Sequence, residues 1–213
     1  MTQDASQKLI SPNNEKRILL HCCCAPCSGA IIEKMLDSNL QPTILFYNPN
    51  IHPQEEYERR KETVASFAEK KGIAFFDLDY DPENWFERVK GFEQEPERGK
   101  RCFLCFDMRL ERTALFAHEN GFKVFATTLG LSRWKDIKQV NTCGLRAASN
   151  FPDLTFWGHN WRLKGGSQKM YEIAKKEHLY KQKYCGCQYS LESRNKERLQ
   201  KGQAPISDNP EYY

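Results

Sequence analysis

The sequence contains no run of apolar residues that approaches the ~20 needed to span a membrane. Its first residues, Met1 to Lys16, are polar and interrupted by Pro12, so they lack the basic end and apolar run of a secretory signal. We therefore expect a cytoplasmic protein that does not act at a membrane.

Glycine loops that bind phosphate are also missing. The sequence has neither Gly-x-Gly-x-x-Gly nor Gly-x-x-x-x-Gly-Lys-Ser/Thr, and no repeat of about 20 to 50 residues that would predict a solenoid. With 213 residues the chain can form one well-packed domain, with or without a small appendage, and its size alone requires no disulfide bonds.

Cysteine, in contrast, is abundant and clustered. Six of the nine cysteines fall into three groups, and two more, Cys22 and Cys27, flank the first group. The groups are Cys23-Cys24, Cys102-x-x-Cys105 and Cys185-Gly186-Cys187. In a reducing cytosol such clusters more often bind metals or carry out redox chemistry than form structural disulfides, and soft thiolates suit zinc and iron-sulfur clusters.

Short apolar strands alternate with helical patterns along the first three quarters of the sequence. This alternation predicts an α/β fold with a mostly parallel sheet covered by helices on both faces. The predicted strands are Arg17–His21, Pro42–Tyr47, Ile73–Leu78 and Phe122–Thr127, and the predicted helices are Ser28–Ser38, Pro53–Lys71, Pro82–Lys90, Cys102–Glu119, Lys135–Ala148 and Ser167–His178. Active sites in such sheets lie at the carboxyl ends of the strands, where Cys22 to Cys27 follow the first strand.

The pattern divides the chain into four segments. We predict a flexible N-terminus over 1–16, the α/β domain over 17–155, a basic aromatic helical appendage over 156–200 and a flexible tail over 201–213. Residues 159–206 contain eleven Lys or Arg against four Asp or Glu, although the whole chain carries a net charge of only +4.

Six aromatic residues lie in or next to the basic segment, namely Trp157, Trp161, Tyr171, Tyr180, Tyr184 and Tyr189. Basic and aromatic side chains together are typical of surfaces that contact phosphates and stack on unpaired RNA bases. Trp161, Arg162 and Lys164 are the candidate substrate-binding residues. A solvated helical surface would have the same charge, so the pattern alone leaves both interpretations open.

The four thiols of Cys23, Cys24, Cys102 and Cys105 suffice for one tetrahedral zinc ion or one iron-sulfur cluster. Their spacing does not distinguish a zinc site from an iron-sulfur cluster. Cys185 and Cys187 are separated by one glycine, so they could form a strained and readily reduced disulfide, bind metal, or lie in an inert turn.

Three motifs together resemble the family of epoxyqueuosine reductases of the QueH type. They are His21-Cys22-Cys23-Cys24-Ala25-Pro26, Arg101-Cys102-x-x-Cys105-Phe106 with Arg109-Leu110-Glu111, and Tyr180-Lys181-Gln182-x-Tyr184-Cys185-Gly186-Cys187-x-Tyr189-Ser190. The match runs from about residue 17 to residue 190, in the right order.

The resemblance implies a Rossmann-like, HUP-type domain that reduces the epoxide of epoxyqueuosine in tRNA to queuosine, the last step of that modification, with an electron donor that it does not identify. By position, Cys23, Cys24, Cys102 and Cys105 would hold a [4Fe-4S] cluster, and Cys185 and Cys187 would be a redox-active pair. The family also implies an additional iron beside the cluster. Some members have aspartate where this chain has Cys27, which makes Cys27 the candidate ligand of a second metal.

Two other functions fit the same cysteines. A zinc-stabilised RNA-binding protein would use the four thiolates for a structural ion and have no redox activity. A thiol-disulfide oxidoreductase would use Cys185 and Cys187 alone.

Overall fold

A computed structural model describes residues 8–78, 80–163 and 165–213 of the chain. It contains a five-stranded sheet in which all neighbouring strands run parallel, in the order β3-β2-β1-β4-β5. The strands are β1 (Arg17–Cys22), β2 (Gln41–Phe46), β3 (Phe75–Asp77), β4 (Val124–Thr127) and β5 (Thr155–Phe156). The predicted parallel α/β fold is confirmed, and the order is that of a doubly wound Rossmann-like sheet.

Seven α-helices belong to the described part of the chain. They are α1 (Ala25–Asp37), α2 (Gln54–Lys70), α3 (Pro82–Val89), α4 (Lys100–Glu119), α5 (Ile137–Ser149), α6 (Gly166–Lys176) and α7 (Gln188–Gln200). Helix α1 packs against α2 and α6, whereas α4 packs against α3 and α5. These two groups cover opposite faces of the sheet, as right-handed crossovers between parallel strands require.

The central strands are the most buried part of the fold. Five of the six residues of β1 and all four residues of β4 are buried, and Ile18, Leu20 and Phe125 are completely inaccessible to solvent. Such continuous apolar strands are typical of parallel sheets that are covered on both faces. The sheet is therefore a rigid base for the residues that follow its carboxyl ends.

Several element boundaries differ from the prediction. Helix α1 begins at Ala25 instead of Ser28. Proline lacks an N–H group, but N–H groups in the first turn of a helix have no acceptor within the helix, so Pro26 fits there. Helix α4 begins at Lys100, two residues before the predicted start. As a result, Cys27 and Cys102 both lie in the first turn of a helix.

The short strand β5 and the separate helix α7 were not predicted. Strand β5 has only two residues, and α5 can approach it because position 144 is glycine, where a Cβ atom would overlap the ring of Phe156. The predicted division after residue 155 falls inside this strand.

The chain end lies against the appendage. The amide of Tyr213 donates to the carbonyl of Leu179 at 3.0 Å, and Lys181 donates to the carbonyl of Glu211 at 2.7 Å. Within the described residues, no helix has the length and apolar character needed to cross a membrane.

Candidate metal and redox site

Each of the three cysteine motifs lies at the N-terminus of a helix. Cys24 is the N-cap of α1, Cys102 is the third residue of α4 and Cys187 is the N-cap of α7. The first turn of a helix has unpaired N–H groups and a positive electrostatic potential. This potential stabilises negative charge on sulfur at all three motifs, although burial raises the pKa values of Cys102 and Cys187.

The first motif follows the buried strand β1 and contains three closely associated thiols. The sulfur atoms of Cys23 and Cys24 are 3.8 Å apart, and the hydroxyl of Thr128 is 3.9 Å from Cys23 Sγ. Hydrogen bonds from Cys24 and Cys27 lower the pKa of Cys23 well below its usual value. Hydrogen bonding to Cys23 raises the pKa of Cys24 and raises that of Cys27 to about 12. The group thus carries one readily formed thiolate, stabilised by two neutral neighbours.

The second motif places Cys102 and Cys105 one helical turn apart on α4. The backbone amide of Arg98 donates to Cys102 Sγ at 3.2 Å, and a guanidinium N–H of Arg109 donates to Cys105 Sγ at 3.9 Å. Burial raises the pKa of Cys102 to about 12, and burial also raises the pKa of Cys105 against the opposing charge of Arg109. These thiols are neutral near pH 7 unless a metal ion replaces the proton.

The third motif, the Cys185-Gly186-Cys187 turn, is fixed by side chains of α2. Arg60 donates to the carbonyls of Cys185 at 3.0 Å and Tyr184 at 3.1 Å, and the backbone amide of His52 donates to the carbonyl of Gly186 at 2.8 Å. Gly186 has φ +126°, a conformation that residues with a side chain rarely adopt. Both cysteines are free thiols in the structure.

Arg60 is itself held by a buried ion pair. It is 1 % exposed and lies 2.7 Å from Glu56, which is 4 % exposed and also accepts a hydrogen bond from Tyr180 at 2.7 Å. Tyr180 comes from the same segment as the cysteine turn. The pair therefore connects α2 to the start of the turn and to the segment that precedes it.

The three motifs converge on one cavity. Cys27, Cys102 and Cys185 line a space of about 220 Å³ that opens to solvent. Burial acts to lower the pKa of Lys135, but the nearby side chains of Cys185, Cys23 and Cys27 raise it above its usual value. Because Lys135 interacts electrostatically with cysteines of two motifs, it places a positive charge between them.

The fit to a cofactor depends on the spacing of the thiols. Within the described ranges, no three His, Cys, Asp or Glu side chains lie close enough to hold a single metal ion. A [4Fe-4S] cluster binds each thiolate through a different iron and so spreads its ligands further apart than one ion does. The indole of Trp85 is buried beside the Cys105 thiol, in the apolar cluster that also contains Cys187. The soft thiols of Cys23, Cys24, Cys102 and Cys105 would suit a [4Fe-4S] cluster, which stays a prediction.

The candidate substrate-binding residues have different surroundings. Trp161 is only 5 % exposed and packs edge-on against Trp157, with ring centroids 5.3 Å apart. Arg162 donates to the backbone carbonyls of Ser132 and Lys135. Lys164 lies outside the described residues. Trp161 and Arg162 therefore support the loop before α5, and their contact with a substrate stays a prediction.

Two other cysteines and one histidine are accounted for by packing. Cys22 and Cys143 are completely buried and donate weakly to the carbonyls of Leu20 and Phe103. Both ring nitrogens of His21 have partners, the Thr127 hydroxyl at 2.8 Å and the Tyr47 carbonyl at 3.2 Å. These side chains face the core and not the cavity.

Sequence reasoning missed the residues that support the motifs. Lys135 and Trp134 line the cavity from the loop between β4 and α5, and Arg60 holds the cysteine turn from α2. The chain contains 32 Lys and Arg residues, so the sequence alone does not distinguish Lys135 or Arg60 from the others. Only the position of Trp134 and Lys135 after the carboxyl end of a predicted strand pointed to this region.

The comparisons with known proteins agree on one family. The family model described as Epoxyqueuosine reductase QueH matches residues 18–193. The protein named Epoxyqueuosine reductase QueH from Acinetobacter baylyi is 55% identical over 206 residues, which cover 97% of this chain and 94% of that protein. The protein of the same name from Haemophilus influenzae is 54% identical over 207 residues, which cover 97% of this chain and 84% of that protein. The one from Thermotoga maritima is 33% identical over 186 residues, which cover 86% of this chain and 94% of that protein.

A solved structure shares the fold. The predicted subunit of a tRNA methyltransferase from Methanocaldococcus jannaschii superposes with a TM-score of 0.51, and the match covers 92% of this chain and 95% of that one. With 12% sequence identity, this likeness supports the α/β architecture alone.

Proposed function

The chain belongs to the epoxyqueuosine reductase QueH family of oxidoreductases, and from this membership we propose that it reduces the epoxide of epoxyqueuosine in tRNA to leave queuosine. The observation that carries the proposal is the convergence of the three cysteine motifs, distant in sequence, on one cavity at the carboxyl edge of the sheet. A cytoplasmic location follows from a tRNA substrate and a set of free thiols.

The reaction removes one oxygen atom. Both C–O bonds of the epoxide break, a C=C bond forms between the two carbons, and the oxygen leaves as water. The balance requires two electrons and two protons. A dithiol that is oxidised to a disulfide supplies both, and Cys185 and Cys187 are the pair suited to this role, since a single glycine separates them. An external donor, not identified by the sequence or the fold, must then reduce the disulfide.

We assign Cys23, Cys24, Cys102 and Cys105 as the ligands of a [4Fe-4S] cluster. When bound, the cluster would supply single-electron transfer. The protein contributes a mostly buried and positively charged setting: α1 and α4 direct their N-termini at the thiolates, while Arg109 and Lys135 offset their negative charge. Cys27 lines the same cavity one turn after Cys24, and this supports the proposal that it is a ligand of an additional iron.

A decisive test uses the reconstituted protein under anaerobic conditions. It is incubated with tRNA that carries epoxyqueuosine and with a chemical reductant, and the digested tRNA is examined for queuosine by mass spectrometry. We expect conversion. A preparation that contains the full cluster and converts none of the substrate would overturn the proposal.

The two other functions predict different results. A zinc-stabilised RNA-binding protein would be colourless after anaerobic purification, whereas a [4Fe-4S] protein is brown and carries about four iron atoms per chain. A thiol-disulfide oxidoreductase would keep its activity without the four cluster thiols. Family membership favours neither alternative.

A further inference from the structure

Trp134 differs from the other tryptophans of the chain in its exposure. Its side chain is 55 % exposed, whereas Trp85, Trp157 and Trp161 are between 0 and 8 % exposed. Trp134 lies at the rim of the cavity that is lined by Cys27, Cys102 and Cys185. An indole kept in water at the entrance of a reaction site is available to a ligand.

The position of Trp134 is fixed relative to the thiols. The guanidinium of Arg98 donates to the carbonyl of Trp134 at 3.0 Å and to that of Arg133 at 3.1 Å. The backbone amide of the same arginine donates to Cys102 Sγ at 3.2 Å. One residue thus joins the backbone of the tryptophan loop to a cysteine of the site, so the loop that carries the indole is anchored beside the cavity.

Two arginines flank the ring. The guanidinium of Arg133 lies 4.8 Å from the ring centroid and that of Arg194, on α7, lies 5.7 Å from it. These cation–π contacts orient the indole. They also place two positive charges beside an exposed aromatic surface, the combination that stacks unpaired bases while contacting their phosphates.

We propose that Trp134 is a stacking platform for an unpaired nucleobase of the anticodon loop next to the base being reduced, with Arg133 and Arg194 contacting the adjacent backbone phosphates. The proposal rests on the proposed function, because it takes a tRNA loop as the ligand. Loop bases are unstacked easily and every base has a π-face. The platform therefore holds the loop without reading its sequence, and directs the neighbouring modified base into the cavity.

The test compares Trp134→Ala and Trp134→Phe with the wild-type protein. Binding of a fluorescein-labelled anticodon stem-loop RNA is measured by anisotropy, beside an RNA duplex of equal length. Because stacking contributes about 1–3 kcal/mol per base, Trp134→Ala should weaken binding of the stem-loop by about 5- to 150-fold. Trp134→Phe should retain most of the affinity, and the duplex should bind both variants as it binds the wild type. The control Leu145→Ala removes another exposed apolar side chain, 61 % exposed on α5, and should change nothing.

The outcomes separate this proposal from the proposed function. If Trp134→Ala binds the stem-loop as tightly as the wild type, or loses stem-loop and duplex equally, stacking by Trp134 is excluded, whether or not the protein reduces epoxyqueuosine. If wild-type protein binds the stem-loop through Trp134 but converts no epoxyqueuosine, the reductase assignment fails and the platform stands. With an active enzyme, Trp134→Ala should raise KM for the tRNA by the same factor as Kd while kcat stays within about twofold.

Discussion

At the scale of single residues, Cys102 distinguishes a cluster ligand from a buried thiol. Cys102→Ala should lower the bound iron and abolish epoxide reduction, because three thiolates leave one iron of a cubane cluster without a protein ligand. The matched control is Cys143→Ala. Cys143 lies on α5, is completely buried, donates to the carbonyl of Phe103 and lies outside the cavity. Iron content and visible absorption after anaerobic reconstitution are the measurements. Full iron content in Cys102→Ala would contradict the ligand assignment.

Arg109 is expected to tune the redox potential of the site. It is 2 % exposed, donates to Cys105 Sγ, and its charge lowers the pKa values of both Cys23 and Cys105. A positive charge and a hydrogen bond at the ligand sulfur stabilise the reduced form of a cluster, which has one more electron. Arg109→Gln should therefore shift the reduction potential to a more negative value.

A redox titration followed by electron paramagnetic resonance measures this shift. The control is Arg112→Gln, on the same helix, whose side chain is 37% exposed and faces Glu119. An unchanged or more positive potential in Arg109→Gln would show that Arg109 has only a structural role.

At the scale of secondary-structure elements, α2 holds the cysteine turn through Arg60. Removing one partner of a buried ion pair costs about 3–5 kcal/mol, since the other charge stays buried and unpaired. Arg60→Ala should lower the free energy of unfolding by this amount and speed the alkylation of Cys185, whose carbonyl Arg60 binds. Denaturant unfolding and thiol labelling are the measurements.

The neighbouring residue provides the control. Arg59 also pairs with Glu56, at 3.1 Å, but its side chain is 26% exposed. A pair so accessible to water contributes about 0–1 kcal/mol, so Arg59→Ala should be nearly neutral. Equal losses in the two variants would refute a specific role for the buried pair.

The elements that could be predicted are those with a strong local pattern. The apolar run Arg17–His21 identified β1, and regular helical spacing identified α2 and α4 to within a few residues. Strand β5 could not be predicted, because a two-residue strand has no periodicity and because its packing against α5 depends on Gly144.

The same limit applies to the site. The cysteines could be found because they are rare and closely spaced, whereas Trp161, chosen for its basic neighbours, is buried. Burial is decided by tertiary packing, which a local mixture of Arg, Lys and aromatic residues does not report. Trp134 and Arg60 derive their roles from contacts with residues 40 or more positions away, such as Arg194 and Cys185.

At the scale of the whole molecule, the charges are unevenly distributed along a chain that is nearly neutral overall. The excess of basic residues lies in residues 159–206, which also carry the cysteine turn. In the folded protein, Lys181, Lys183, Arg194, Arg198 and Lys201 line one surface depression, and Arg194 also reaches the rim of the thiol cavity. The basic surface is therefore continuous with the cavity, as a long polyanion that delivers one base to it would need.

Binding of tRNA to this surface should depend on salt. Each phosphate contact that a lysine makes contributes about 0.7–0.9 to the slope of log affinity against log salt concentration, because counterions are released. Lys181→Ala combined with Lys201→Ala should weaken binding and reduce the slope by roughly 1 to 2. The control is Lys16→Ala combined with Lys123→Ala, which removes two exposed charges just before β1 and β4, at the opposite edge of the sheet. Anisotropy titrations with tRNA at several salt concentrations measure both slopes. If the two double variants change the slope equally, the contacts come from the net charge of the protein and not from the basic surface beside the cavity.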